Sequence, residues 1–170
     1  MTDQVILVDE DDREIGSEEK LAAHRAGYLH RAVSAFLVDS AGRHLLQRRA
    51  EGKYHSAGLW SNACCSHPFP GESVADAVAR RLREEMGVTV PLTPLLRYTY
   101  RVELENGLIE HEIDHVFVGR FDGVPDPDPA EVSEWRWIAP DALVAELALA
   151  PDRFTAWFRL LHPKVESRIS

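Results

Sequence analysis

The chain has 170 residues, 45% hydrophobic and 28% charged, which is enough apolar material for one core and excludes wholesale disorder. Acidic residues number 28 against 19 basic, a formal net charge of −9, which argues against non-specific binding to nucleic acid or an anionic membrane. No apolar run approaches the ~20 residues of a bilayer span, the first residues lack the basic start and apolar length of a secretory signal, and the only cysteines, Cys64 and Cys65, are adjacent and too close to pair with each other. One domain over residues 1–170, with free thiols and a cytoplasmic location, is the expectation.

Residues 5–8 form an apolar run closed by the acidic turn 9–12 and predict a strand. Residues 17–24 follow Gly16 and predict a short helix capped by Ser17, with acids in its first turn. Segments 32–38 and 44–48 flank Asp39-Ser-Ala-Gly42 and predict a hairpin. A loop over 50–58 leads into an extended stretch, 59–67, and a turn at 68–71. Residues 73–86 carry the clearest helical pattern. Ser73 caps it, Gly87 stops it, and Val74, Ala77, Val78, Leu82 and Met86 form its buried stripe. Segments 95–105 and 108–118 surround Asn106-Gly107, the strongest short hairpin signal. A Pro/Asp-rich loop, a strand at Val132–Ile138 and helical turns at 141–147 and 154–161 complete the chain. Mixed strands with one central helix and flanking helices predict an α+β fold, an α/β/α sandwich.

In an extended segment, residues two apart share a face, so Glu110 and Glu112 project together, as do Cys65 and His67, while His111, Ile113 and His115 turn the other way. Two co-facial carboxylates followed by Asp114 suit either a solvated edge that deters aggregation or a functional face. The chain holds eight histidines. Among them His24, His30 and His67, joined to two glutamates, would make a mixed imidazole/carboxylate set suited to Mn²⁺, Mg²⁺ or Zn²⁺, although spacing alone does not bring them together. His44, His55, His111, His115 and His162 are expected to be structural or surface residues.

Residues 72–88 resemble the Nudix box, G-x5-E-x7-R-E-U-x-E-E-x-G-U with U aliphatic. Glu72, Arg80, Leu82, Glu84, Glu85, Gly87 and Val88 fall on matching positions, while Ser66 replaces the leading Gly and Arg81 the first Glu of the core. In hydrolases of that superfamily this glutamate and the next two hold the ions that activate water. An arginine there removes a ligand, repels a metal and attracts an anion, so the helix looks like a diphosphate scaffold that has lost ordinary hydrolysis. Upstream, Trp60-Ser-Asn-Ala-Cys-Cys-Ser-His-Pro68, Gly71-Glu72-Ser73, Arg48-Arg49-Ala50 with Lys53, and Glu18-Glu19-Lys20 through His24 are similar to type 1 isopentenyl diphosphate isomerases, as is Tyr100-Arg101 followed by Glu110-His-Glu112. The flavin-dependent type 2 isomerase is a different fold. The resemblance runs from about Val5 to Val118, with a looser tail.

That resemblance implies a Nudix-like α/β/α sandwich with a mixed sheet and an added N-terminal strand/helix segment, and an isomerase of isoprenoid biosynthesis. It makes Cys65 and Glu112 the acid/base pair, with Tyr100 beside Glu112 and Cys64 structural. It makes His24, His30, His67, Glu110 and Glu112 ligands of one divalent metal (Mn²⁺, Mg²⁺ or Zn²⁺), and Glu85 a ligand of a separate Mg²⁺ on the substrate diphosphate. Lys20, Arg49, Lys53 and Arg81 match diphosphate contacts, and Trp157 an aromatic lid over the hydrocarbon, with Trp60 a second candidate for that wall. A thiolate at Cys65 would serve as base if nearby cations depress its pKa. The implied partner is a small isoprenoid diphosphate, with no nucleic acid or membrane, bound by a monomer. A Nudix hydrolase is the nearest rival, though it leaves Cys65 and His67 unexplained. A non-catalytic diphosphate- or metal-binding module would not need every one of these positions filled.

Overall fold

The computed structural model describes residues 3–169. Strand β1 (Gln4–Val8) pairs antiparallel with β2 (Glu14–Glu19) in a register that sets Gln4 opposite Glu19. This pairing holds residues 14–19 extended, so the helix expected from residue 17 begins only at α1 (Lys20–Ala26). Glu19 rather than Ser17 caps it, its carboxylate accepting from the Leu21 and Ala22 N–H groups at 3.1 and 2.9 Å. Local cap chemistry at Ser17 lost to a non-local strand pairing.

Strand β3 (His30–Val38) leads into β4 (His44–Arg49). The predicted hairpin exists at its turn, where Val38 opposes His44, and then splays. Other strands fill the flanks: β4 pairs with β5 (Trp60–Ser61) and β9 (Val132–Ile138), and β3 with β6 (Cys64–Ser66) antiparallel and β8 (Ile109–Arg120) parallel. β8 also pairs antiparallel with β7 (Thr93–Glu103) through the Asn106-Gly107 turn, where both residues take positive φ.

Helix α2 (Val74–Met86) matches the sequence reading: Ser73 accepts from the Asp76 N–H at 3.1 Å, and Gly87 closes the helix at φ 65°. A Cβ at Gly87 would meet the Asp126 carbonyl oxygen at 2.4 Å, so the stop requires glycine twice over. Ala77, Val78, Leu82 and Met86 pack on Val33, Ala35 and Leu37 of β3 and on Cys64. The opposite face of the sheet, through Phe36, Leu46 and Val116, buries Leu143 of α3 (Pro140–Leu149) and Phe158, Leu161 and Val165 of α4 (Ala156–Ile169). Each such side chain is worth about 1.5–3 kcal/mol of burial. The expected sandwich is present, α2 on one face of a mixed sheet and α3 and α4 on the other. No helix of the described residues is long and apolar enough to cross a membrane.

Candidate active site

Strand β3 measures out the site. Ser34 opposes Cys65 on one flank, and His30 opposes Glu112 on the other. Because β8 lies between β3 and β7, its carboxylates are interior: Glu110, Glu112 and Asp114 are all buried, which removes the solvated-edge reading. The cavity beside them, about 50 Å³, is lined by Cys65, His67, Tyr100, Glu110, Glu112, Asp114 and Trp157 together with Lys20, Arg49, Lys53, Tyr54, His55 and Arg81. Lys20, Lys53, Ser66, His67 and Arg81 continue into an adjoining cavity of about 220 Å³. The acid/base candidates and the cations expected from sequence therefore line one connected space.

Four elements deliver the metal candidates. His24 comes from α1, His30 from β3, His67 from just past β6 and Glu112 from β8, and one donor atom of each lies within 4.8 Å of the rest. His30 Nε2 and His67 Nε2 lie 2.9 and 2.7 Å from the same oxygen, Glu112 Oε2. His24 Nδ1 and His30 Nδ1 sit 2.7 and 2.8 Å from the Lys20 and Tyr28 carbonyls, which requires N–H on that nitrogen and leaves the lone pair on Nε2. Two consequences follow. His24 Nε2 is buried with no partner, and His30 Nε2 aims a lone pair at a carboxylate oxygen. A cation shared by these atoms resolves both, so the residues fit a divalent metal. Burial also lowers the pKa of His24, and that of His67 to about 4, keeping the rings neutral and able to ligate.

Tyr100 donates to Glu112 Oε1 at 2.6 Å and reaches Glu110 Oε2 at 3.3 Å. Burial, then the neighbouring Glu112, push Glu110 well up. Burial also acts upward on Glu112, but its polar contacts, that with His67 foremost, outweigh this and hold that carboxyl well below its usual range. Glu110 groups with His24 and with His55, whose Nε2 is 3.6 Å from Glu110 Oε1. Glu85 is not in this cluster: it sits 3.1 Å from Arg81 and 3.2 Å from the Gln47 amide. The diphosphate candidates carry acidic partners, Lys20 with Asp3, Lys53 with Glu131, and Arg81 with Glu84, Glu85 and Glu131.

The Cys65 sulfur accepts from Trp157 Nε1–H at 2.9 Å and donates to Asn62 Oδ1 at 3.1 Å, with Ser34 Oγ at 3.4 Å. Burial, then Asp114, push this thiol far up, so it rests protonated rather than as the thiolate the sequence allowed. Arg49 does not offset this, since it lies over the Trp157 ring at 5.2 Å and donates to the His55 carbonyl. Trp60 does not join the wall. It lies under Arg136, 4.5 Å from the guanidinium, in a separate cavity with Arg48 and Arg153, because β5 turns it away from β6.

Cys64 faces the core under α2, its sulfur 3.5 Å from Glu85 Oε2. Cys64→Ala is expected to leave turnover within about threefold of wild type and to cost on the order of 1 kcal/mol in a urea unfolding curve; loss of turnover there would identify the wrong thiol. Sequence reasoning missed His55, Asn62, Ser34 and Asp114 as members of the site. Asp114 carried a signal in its two-residue step from Glu112, and Asn62 one in its place three residues before Cys65 in the segment that resembles the isomerases.

The NUDIX domain family model matches residues 28–158, beginning after β1, β2 and α1. A Burkholderia multivorans protein named isopentenyl-diphosphate Delta-isomerase is 56% identical over 161 residues, 95% of this chain and 92% of its own. An Aromatoleum aromaticum relative named isopentenyl-diphosphate Delta-isomerase 1 is 57% identical over 157 residues, covering 92% and 89%. Among solved structures, one from Deinococcus radiodurans superposes with a TM-score of 0.82 at 24% identity, over 99% of this chain and 100% of that one. A MutT protein from Methanosarcina mazei gives 0.67 at 23%, over 82% and 94%. At those identities the two structures speak for the fold alone.

Proposed function

The chain belongs to the isopentenyl-diphosphate Delta-isomerases of the NUDIX domain family, and on that footing we propose that it interconverts isopentenyl and dimethylallyl diphosphate by a 1,3-proton shift. The observation that carries the chemistry is a thiol and a carboxylate, Cys65 and Glu112, on opposite flanks of β3 and lining one cavity.

Adding a proton to the terminal alkene carbon leaves a tertiary carbocation. Losing a proton from the carbon two positions along restores a double bond in its new place. The reaction therefore needs one donor and one acceptor, and no net proton. Cys65 as thiol and Glu112 as carboxylate hold one proton between them, which is the count the shift requires, and the roles exchange when the reaction runs backwards. Tyr100, bonded to Glu112 Oε1, orients that carboxyl and relays its proton. His24, His30, His67 and Glu112, with Glu110 alongside, would hold a divalent metal (Mn²⁺, Mg²⁺ or Zn²⁺) that fixes the Glu112 carboxyl and sets its acidity. Lys20, Arg49, Lys53 and Arg81 bind the diphosphate, and Glu85 would hold the Mg²⁺ that accompanies it. This clamp grips both alkenes alike, so it anchors the substrate and excludes water more than it lowers the barrier. Trp157 offers the carbocation a π face in place of a nucleophile that would trap it, an interaction worth ~0.5–2 kcal/mol. We read the protein as a cytoplasmic monomer of one domain, residues 1–170, acting on a free isoprenoid diphosphate and on neither nucleic acid nor membrane; the net charge of −9 supports the last two exclusions.

Incubation with isopentenyl diphosphate and Mg²⁺ in D₂O tests the reading. Deuterium is expected in the allylic product with no phosphate released. Release of phosphate or pyrophosphate would make the protein a hydrolase, and retained binding without turnover would make it a binding module.

A further inference from the structure

A second cluster of ligand-type side chains lies outside the catalytic cavity. His44 opens β4, and His162 and Glu166 stand one turn apart on the same side of α4. His44 and His162 are 2% and 3% exposed, and the Glu166 side chain 22%. His44 Nε2 lies 2.6 Å from Glu166 Oε2, and His162 Nε2 lies 3.7 Å from the same oxygen. His162 Nε2 is buried and has no hydrogen-bond partner. The two imidazole rings meet edge to face with centroids 5.7 Å apart.

We propose that His44, His162 and Glu166 form a second metal site, for a borderline cation such as Zn²⁺, which pins α4 to β4. Two imidazoles and one carboxylate are a donor set that zinc accepts in a tetrahedral site. Ligands at ~2.0–2.1 Å place donor atoms about 3.4 Å apart in a tetrahedron, and the separations of 2.6 and 3.7 Å straddle that value. The partial exposure of Glu166 leaves an entry path and a fourth position for water. Burial, then the neighbouring His44, keep His162 neutral, with a lone pair to offer.

The location gives the site a use. Pro163, inside α4, supplies no N–H to the Arg159 carbonyl, so the helix loses a rung of its ladder beside His162. The same helix carries Trp157, whose N–H reaches the Cys65 sulfur. A clamp at His162 restores the anchorage that the proline removes and steadies the indole one and a half turns away.

The test is metal stoichiometry on the whole protein. After metals are stripped, equilibrium dialysis against Zn²⁺ should leave His162→Leu with one equivalent fewer than wild type. Glu166→Gln, which keeps the size of this half-buried side chain, should show the same deficit if the leucine variant fails to fold. In a His67→Ala background Zn²⁺ should still raise Tm, by about 5 °C at a hundredfold excess over Kd, and adding Glu166→Gln should abolish the rise. Equal zinc content and equal Tm shifts with and without these substitutions would overturn the proposal.

Discussion

Replacing Cys65 by alanine is expected to lower isomerisation by about 10³- to 10⁴-fold while diphosphate binding survives. The sulfur touches Asn62, Ser34 and Trp157, and of the four diphosphate candidates only Arg49 adjoins this group, through the Trp157 ring, so its removal takes the proposed proton carrier away and leaves Lys20, Lys53 and Arg81 in place. Alanine keeps the backbone of β6 in register opposite Ser34, and the packing lost is one sulfur atom. Unfolding free energy should fall by only ~1–2 kcal/mol, which a urea titration separates from catalysis. Steady-state rates with isopentenyl diphosphate, beside the dissociation constant of an unreactive diphosphate analogue, give the two numbers needed. If the alanine variant keeps more than about a tenth of wild-type turnover, Cys65 is not a member of the acid/base pair.

Glu112→Gln should cost at least as much, and with a second signature. The carboxylate does two things: Oε2 faces His30 and His67, and Oε1 accepts the Tyr100 O–H hydrogen bond. An amide can neither exchange a proton near neutral pH nor bring the negative charge that a divalent cation among neutral imidazoles requires. Turnover is expected to fall by about 10⁴-fold, and metal affinity by at least about tenfold when measured by competition with a chelator. The two losses together distinguish Glu112 from Cys65, whose substitution should leave metal content unchanged. Full metal occupancy with turnover above about a hundredth of wild type would remove Glu112 from both roles.

What the sequence made legible depended on how local each cause is. The α2 caps, Ser73 and Gly87, act within one helical turn, and the Asn106-Gly107 turn is fixed by its own backbone preference, so both appear where they were read. The period of two along β8 put Glu110, Glu112 and Asp114 on one buried face for the same reason. Failures came where a distant partner decided. Residues 17–19 carry a helix start, yet β1 holds them in a strand. Trp60 and Trp157 look alike as aromatic candidates, and only the side from which β5 and α4 approach separates them. The metal candidates come from α1, β3, the end of β6 and β8, a convergence no spacing rule contains; family resemblance indicated it and geometry reports it. His55 entered the site from a loop without periodicity, and the resting state of Cys65 follows from burial, which sequence does not record.

The shared measure along β3 bears on how such a catalyst can diversify. A neighbouring strand that slips by one residue turns all its side chains to the other face. The gap between the two proposed proton carriers is therefore close to a digital quantity, kept whole or lost outright. Gradual change is diverted to the walls and mouth of the cavity, where one side chain can be exchanged without disturbing the ladder. Substrate range can wander in small steps on this scaffold while the distance a proton must travel stays locked.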